Sequence, residues 1–99
     1  MTKECRPYLL INNKLVYYLR PGDTAVGRAN HNDIVILDLR VSRDHLMITE
    51  ISGRYHLLDL NSSGGTYVNE RQVAQRLLEP GDAISLAQQI SLSYGEDPQ

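Results

Sequence analysis

Three short stretches of the chain concentrate groups that bind an oxyanion. The first is Gly27-Arg28, the second Val41-Ser42-Arg43-Asp44-His45, and the third runs from Asp59 through Ser62-Ser63-Gly64-Gly65-Thr66 to Asn69. Together they hold two guanidiniums, several hydroxyls, a side-chain amide and backbone N–H groups laid open by glycine. A phosphate monoester carries about −1.5 to −2 charges near neutral pH and offers three acceptor oxygens. Each hydrogen bond to a charged group contributes roughly 1.5–3 kcal/mol net. A few of them, after the cost of association, suffice for an affinity near micromolar, about −8 kcal/mol. The chemistry on offer is recognition of a phosphorylated ligand, provided the three stretches meet at one place.

Other chemistries find less support. The histidines are His31, His45 and His56, and none has metal-ligand spacing. Cys5 is the one cysteine, so it has no cysteine partner for a metal or an internal disulfide. Gly64-Gly65 follows two serines but lacks the lysine of a nucleotide-binding loop. Ser42 and His45, three residues apart, form the one nucleophile–base pairing. That spacing recurs by chance, and no third group is evident to orient the histidine. The sequence therefore predicts no enzyme activity, no metal and no cofactor.

Bringing the three stretches together requires a scaffold, and the pattern between them is that of strands. Turn chemistry punctuates the chain at Asn12-Asn13, Pro21-Gly22-Asp23, Ser52-Gly53, Ser62 to Gly65 and Pro80-Gly81-Asp82. Between the turns the residues alternate. Leu15, Tyr17 and Leu19 share one face, and Val16 and Tyr18 the other. Leu46 and Ile48 oppose Met47, Thr49 and Ile51. Ile84 and Leu86, then Ile90, Leu92 and Tyr94, repeat the pattern. Short strands with turn signals every eight to twelve residues predict an antiparallel sandwich or barrel, which gathers alternate loops at one end. Asn12-Asn13 and Ser52-Gly53 each predict a two-residue hairpin turn. Asn69 to Leu78 reads as a loop with a brief strand.

The 99 residues make one domain. Its hydrophobic share of 41% contains no Phe and no Trp. Branched aliphatics and tyrosines suit pleated sheets. We expect a flexible N-terminus over residues 1–7, a domain over 8–94 and a flexible tail over 95–99. A net charge of −2 argues against nucleic acid as the main partner. No apolar run is long enough to cross a bilayer, and no signal peptide is visible at the start. A lone cysteine fits a cytoplasmic setting.

In order and spacing, several segments resemble the forkhead-associated (FHA) domain family. They are Val26-Gly27-Arg28, Asn32-Asp33-Ile34-Val35, Ser42-Arg43-Asp44-His45, Asp59-Leu60-Asn61-Ser62, Gly65-Thr66-Tyr67-Val68-Asn69 and Leu78-Glu79-Pro80-Gly81-Asp82-Ala83-Ile84. The similarity covers about Tyr8 to Tyr94. It implies an all-β, FHA/SMAD-like sandwich of about eleven strands whose loops at one end bind phosphothreonine peptides. Modules of this kind are commonly one part of a longer chain. By resemblance, Arg28 and Ser42 contact the phosphate and Arg43 is a second phosphate donor. Ser63 reaches the phosphate or the methyl pocket, and Asn69 grips the peptide main chain. Gly27, His45, Gly65 and Thr66 match positions that support the loops. The family usually has Asn before its Gly-Thr pair, where this chain has Gly64. That departure removes one expected peptide contact and adds an ordering cost to the loop.

Two neighbouring acids bear on this reading, because Asp38 and Asp44 lie close enough in sequence to pair with Arg43. Arg40 and Arg71 add long-range attraction for an anionic peptide. The expected partner is a threonine-phosphorylated protein or peptide in a signalling interaction. The alternative is a phosphate-independent scaffold that binds partners through a sheet face.

Overall fold

The computed structural model describes residues 5–98. Eleven strands form two stacked sheets: β1 Cys5–Ile11, β2 Leu15–Tyr18, β3 Asp23–Gly27, β4 Ile34–Val35, β5 Leu46–Ile51, β6 Arg54–Asp59, β7 Thr66–Val68, β8 Arg71–Gln72, β9 Gln75–Leu77, β10 Ala83–Leu86 and β11 Ile90–Pro98. The six-stranded sheet runs β2-β1-β11-β10-β7-β8, and the five-stranded sheet runs β4-β3-β5-β6-β9. All pairings are antiparallel except the two-residue parallel pair β3–β4. The all-β sandwich of eleven strands is the fold that the turn spacing and the family resemblance predict.

The predicted alternation fixes the core. Leu9, Val26, Leu46, Ile48, Leu57, Val68, Ile84, Leu86 and Leu92 are at most 2% exposed. Burying each such aliphatic side chain contributes about 1.5–3 kcal/mol. Their neighbours one residue along, such as Met47, Thr49 and Ser85, face outward and are half-buried. Ser52 and Gly53 both take positive φ and form the predicted two-residue turn, with Ile51 opposite Arg54.

The Asn12-Asn13 hairpin differs by one residue. Both asparagines have positive φ, and the Lys14 N–H donates to the Ile11 carbonyl across them. The ladder then places Ile11 opposite Leu15, so Lys14 is an extra residue in the loop. The segment 69–78 holds two brief strands, β8 and β9, one in each sheet.

Pairing also reaches past residues 8–94. β1 and β11 pair from Cys5 opposite Pro98 through Ile11 opposite Leu92. Residues 5–7 and 95–98 therefore lie in the six-stranded sheet. Each terminal strand supplies the partner that ties down the other. The Tyr18 hydroxyl donates to Asp97 at 2.7 Å, and the Arg6 guanidinium sits 3.8 Å from the Tyr18 ring centre. The expectation of flexibility at Met1 to Glu4 and at Gln99 falls outside the described residues.

Candidate functional site

Strand register decides which loops meet. Val26 near the end of β3 pairs with Leu46 at the start of β5, which pairs with Asp59 at the end of β6. In the other sheet, Thr66 at the start of β7 pairs with Leu86 at the end of β10, which pairs with Ile90 at the start of β11. The β3–β4 loop (28–33), the β4–β5 loop (36–45), the β6–β7 loop (60–65) and the β10–β11 turn (87–89) therefore emerge at one end of the sandwich. The three predicted stretches are brought together there.

His45 is the link between them, and it is fully buried. Its Nδ1 accepts from the Ser42 N–H at 3.1 Å, which leaves Nε2 to donate to the Gly65 carbonyl at 2.9 Å. Those partners define the neutral tautomer with the proton on Nε2. Both ring nitrogens are thus committed to backbone, and neither faces the Ser42 hydroxyl as a base would. That hydroxyl accepts from the Ser63 N–H at 3.0 Å, so its own proton remains available to a ligand.

A second cluster shapes the β6–β7 loop. Asp59 Oδ1 accepts from the hydroxyls of Ser62 at 2.5 Å and Thr66 at 2.6 Å, and Oδ2 accepts from the Ser62 N–H at 3.1 Å. The Ser62 hydroxyl in turn accepts from the Gly65 N–H. Burial alone pushes the Asp59 carboxyl up. The bonds from Ser62 and Thr66 outweigh that and hold it below the ordinary carboxylate range. Thr66 is buried and braces the loop from inside.

The cations lie on this frame. The Arg28 N–H donates to the Ser42 carbonyl, and its Nε donates to the Val41 carbonyl at 3.0 Å. The guanidinium is held by that one nitrogen, and its terminal amines have no partner among the described residues. Arg43 is exposed, and its guanidinium likewise has no partner among them. The two acids within reach of Arg43 are engaged elsewhere. Asp44 pairs with His31. Asp38 takes a two-pronged bond from Arg40 at 2.8 and 2.9 Å, and Arg40 holds its carboxyl at about 2. Arg28 and Arg43 thus remain uncompensated, whereas Arg40 is neutralised.

Gly27 has a steric reason. A Cβ there would stand 2.3 Å from the Arg43 carbonyl oxygen and 2.9 Å from Asn32 Nδ2. Asn32 is a residue to which sequence reasoning gave no separate role. Its buried amide donates to the carbonyls of Ala29 at 2.9 Å and Arg43 at 2.7 Å, clipping the first two loops together. Asp59 was similarly part of a motif without a stated part in the site. The signal for both is the same: a short polar side chain inside a motif, next to residues that become buried.

Asn69 and Gly64 take places of their own. Asn69 does not join the cluster. It is the first central residue of the two-residue β7–β8 turn, at φ 51°, with Val68 opposite Arg71. Its Nδ2 donates to Asp82 at 3.0 Å, and its Oδ1 accepts from the Ala83 N–H at 3.0 Å. It lies three residues from Thr66, roughly 10 Å along an extended chain, and its amide braces the β9–β10 connection. Gly64 sits in a bonded loop. The loop around it is tied by bonds to Ser42, Ser62, His45 and Ala87. A Cβ on Gly64 would stand 2.5 Å from the Ala87 Cβ and 3.2 Å from the Arg40 carbonyl oxygen. The asparagine usual in the family is displaced here by the close passage of the β10–β11 turn.

Fold and loops define a class: a β-sandwich that presents a cluster of cationic and hydroxyl groups at one end. The FHA domain family model matches residues 24–87, and the chain belongs to that family. It is 37% identical over 87% of its length to the ABC transporter ATP-binding/permease protein Rv1747 of Mycobacterium tuberculosis, of which the match covers 9%. The chain thus spans a small part of that relative. A structure from a study of phosphothreonine-dependent FHA domain interactions superposes with a TM-score of 0.87 at 31% identity, covering 95% of this chain and 99% of that one. The Mycobacterium tuberculosis EmbR in complex with a low-affinity phosphopeptide superposes with a TM-score of 0.86 at 29% identity, covering 93% of this chain and 24% of that one.

Proposed function

We propose that the chain is a phosphothreonine-peptide recognition module that mediates phosphorylation-dependent association and turns nothing over. The observation that carries this reading is the pair of uncompensated guanidiniums, Arg28 and Arg43, beside a Ser42 hydroxyl whose proton is free to donate. A dianionic phosphate entering there meets charged donors from two loops and a hydroxyl held by a third. Ser63, exposed on the third loop, borders the same place. In this reading Gly27, His45, Gly65 and Thr66 hold the loops, and Asn69 takes no part in gripping the peptide. With Gly64 lacking a side chain, the peptide main chain is held less tightly. Affinity then leans more on the phosphate and on residues bordering the cleft.

The partner is a threonine-phosphorylated protein, met in the cytoplasm, with no role for nucleic acid or a membrane surface. No helix among the described residues is long and apolar enough to cross a membrane. A contact to the threonine γ-methyl favours phosphothreonine over phosphoserine by roughly 1–3 kcal/mol at most.

The test is fluorescence anisotropy with a degenerate phosphothreonine peptide pool, beside matched unphosphorylated and phosphoserine pools. Binding near micromolar that requires the phosphate and weakens roughly 10–150-fold in Arg28→Ala is the expected result. Equal binding to the unphosphorylated pool would instead indicate a phosphate-independent interaction through a sheet face.

A further inference from the structure

The sandwich has four edge strands, β2 and β8 in one sheet and β4 and β9 in the other. Natural sheets blunt such edges with charge, proline or extreme shortness. β8 and β9 carry Arg71 and Arg76, and β4 is two residues long. β2 has none of these defences. It reads Leu-Val-Tyr-Tyr, and Leu15, Val16 and Tyr18 are 66%, 51% and 38% exposed. The loss of apolar contact is on both faces, since Leu15 and Val16 point to opposite sides of the sheet.

The direction of the free backbone groups follows from the ladder. The Leu19 N–H donates to the Pro7 carbonyl at 2.9 Å. Bonded and non-bonded pairs alternate along an antiparallel ladder. With Pro7 and Leu19 a bonded position, Leu9–Tyr17 and Ile11–Leu15 are bonded as well. The N–H and C=O groups of Val16 and Tyr18 therefore point away from β1, into the open edge. An extended strand is the ligand such an edge accepts.

We propose that β2 is a self-association edge, pairing antiparallel with β2 of a second copy of this chain and joining two six-stranded sheets into one. A two-fold axis makes such an edge complementary to itself without any further adaptation. Charge and geometry select the register. Only outward-pointing residues can form the bonded positions, so Val16 faces Lys14, Val16, Tyr18 or Arg20 of the other copy. Against Lys14 each pair keeps a single bond, because the Lys14 N–H is spent within its own turn. Val16 opposite Tyr18 sets Lys14 against Arg20, a like-charge pair. Val16 opposite Arg20 carries the pairing past Tyr18, where β2 ends and the chain bends away at Pro21 and Gly22. Val16 opposite Val16 avoids all three. It sets Leu15 against Tyr17 and Lys14 against Tyr18, whose hydroxyl is bonded to the Asp97 carboxylate. The lysine thus arrives beside an acid and at the edge of an aromatic ring whose face is covered by the Arg6 guanidinium. Two main-chain bonds form at the Val16 pair. One more forms at each end, from the Tyr18 N–H to the Lys14 carbonyl, because the Lys14 N–H is already spent within its own turn. The antiparallel arrangement points the two candidate phosphate sites in opposite directions, so peptide binding and pairing do not compete.

Sedimentation velocity from micromolar to millimolar protein tests the pairing. The wild type is expected to dimerise with rising concentration. Val16→Lys places like charges across the axis and is expected to stay monomeric. Val16→Pro removes an outward N–H while leaving every bond to β1 in place, and is expected to do the same. Circular dichroism confirms that each variant is folded, and should Val16→Pro fail to fold, Val16→Lys decides. Register is read by crosslinking. Facing bonded residues have Cα atoms about 5.5 Å apart, within disulfide range. Val16→Cys in a Cys5→Ser background is expected to oxidise to a dimer, and Ile51→Cys, also exposed, is not. A wild type that remains monomeric at millimolar concentration overturns the proposal, as does a dimer indifferent to both Val16 substitutions. Phosphopeptide affinity of Val16→Lys is expected to equal that of the wild type, so the outcome does not depend on the proposed ligand.

Discussion

His45 Nε2 lies 2.9 Å from the Gly65 carbonyl oxygen, joining loops that are 20 residues apart in the chain, while its Nδ1 holds the backbone of Ser42. One ring thereby sets the distance between the loop bearing the Ser42 hydroxyl and the loop bearing Ser63. His45→Ala leaves the Ser42 N–H unpaired, at roughly 1–3 kcal/mol, leaves the Gly65 carbonyl only the Ala87 N–H, and opens a cavity in place of the buried ring. A loss of about 2–5 kcal/mol in unfolding free energy is expected, read from urea titrations. Phosphopeptide binding should fall even under conditions where the variant is fully folded.

Gly64 and Ala87 form a steric pair. Gly64→Asn restores the residue usual in the family, yet its Cβ would stand 2.5 Å from that of Ala87. Overpacking of this kind costs about 1–3 kcal/mol, so the single variant should be less stable. Ala87 has φ 53° and is itself strained, so Ala87→Gly relieves both the contact and the backbone. The double variant should recover stability beyond the sum of the single effects, with a coupling energy measurable in a double-mutant cycle. It should also bind phosphopeptide more tightly than the wild type, because the amide then has room to reach the peptide.

The arginines should separate by their partners. Arg28→Ala removes a donor fixed at the cleft and is expected to weaken binding roughly 10–150-fold, the range for one charge-assisted bond. Arg43→Ala should cost less, because the Arg43 side chain is exposed and not held by a bond such as that from Arg28 to Val41. Arg40→Ala should change affinity least, because Asp38 already neutralises its charge. Isothermal titration of the three variants with one phosphopeptide orders them. Arg40→Ala weaker than Arg28→Ala would mean that the Asp38 pair opens on binding.

Legibility in the sequence followed the range of the interaction. Strand alternation and the Ser52-Gly53 turn were readable because they depend on adjacent residues. The gathering of Arg28, Ser42 and Ser63 was readable because a sandwich collects alternate loops. Asn69 was ambiguous because one residue type serves two ends. An asparagine after Gly-Thr can offer its amide to a ligand, or it can take positive φ in a tight turn. Only the pairing of Val68 with Arg71 shows which applies. Gly64 was legible as a departure but not as a consequence of Ala87, because the two meet only when β7 and β10 pair. The extension of β1 and β11 toward the termini was hidden for the same reason, since each strand is held by a partner at the other end of the chain.

Acid should act on binding and on folding in separate ranges. The phosphate loses its second charge as pH falls through about 6, so affinity should drop between pH 7 and 5 while the fold is intact. Asp59 acts lower. Its carboxyl is held below the ordinary value of about 3.9 in the folded chain. The folded state therefore favours the charged form, and that contribution is present at pH values above about 3.9. It is lost as pH falls through the depressed folded value, when protonation breaks the bonds from Ser62 and Thr66. Asp59→Asn should be less stable than the wild type at pH 7, and the gap should narrow on acidification. Urea midpoints at a series of pH values give the comparison. A gap that stays constant down to the acid transition would mean that the carboxylate charge is not what Ser62 and Thr66 recognise.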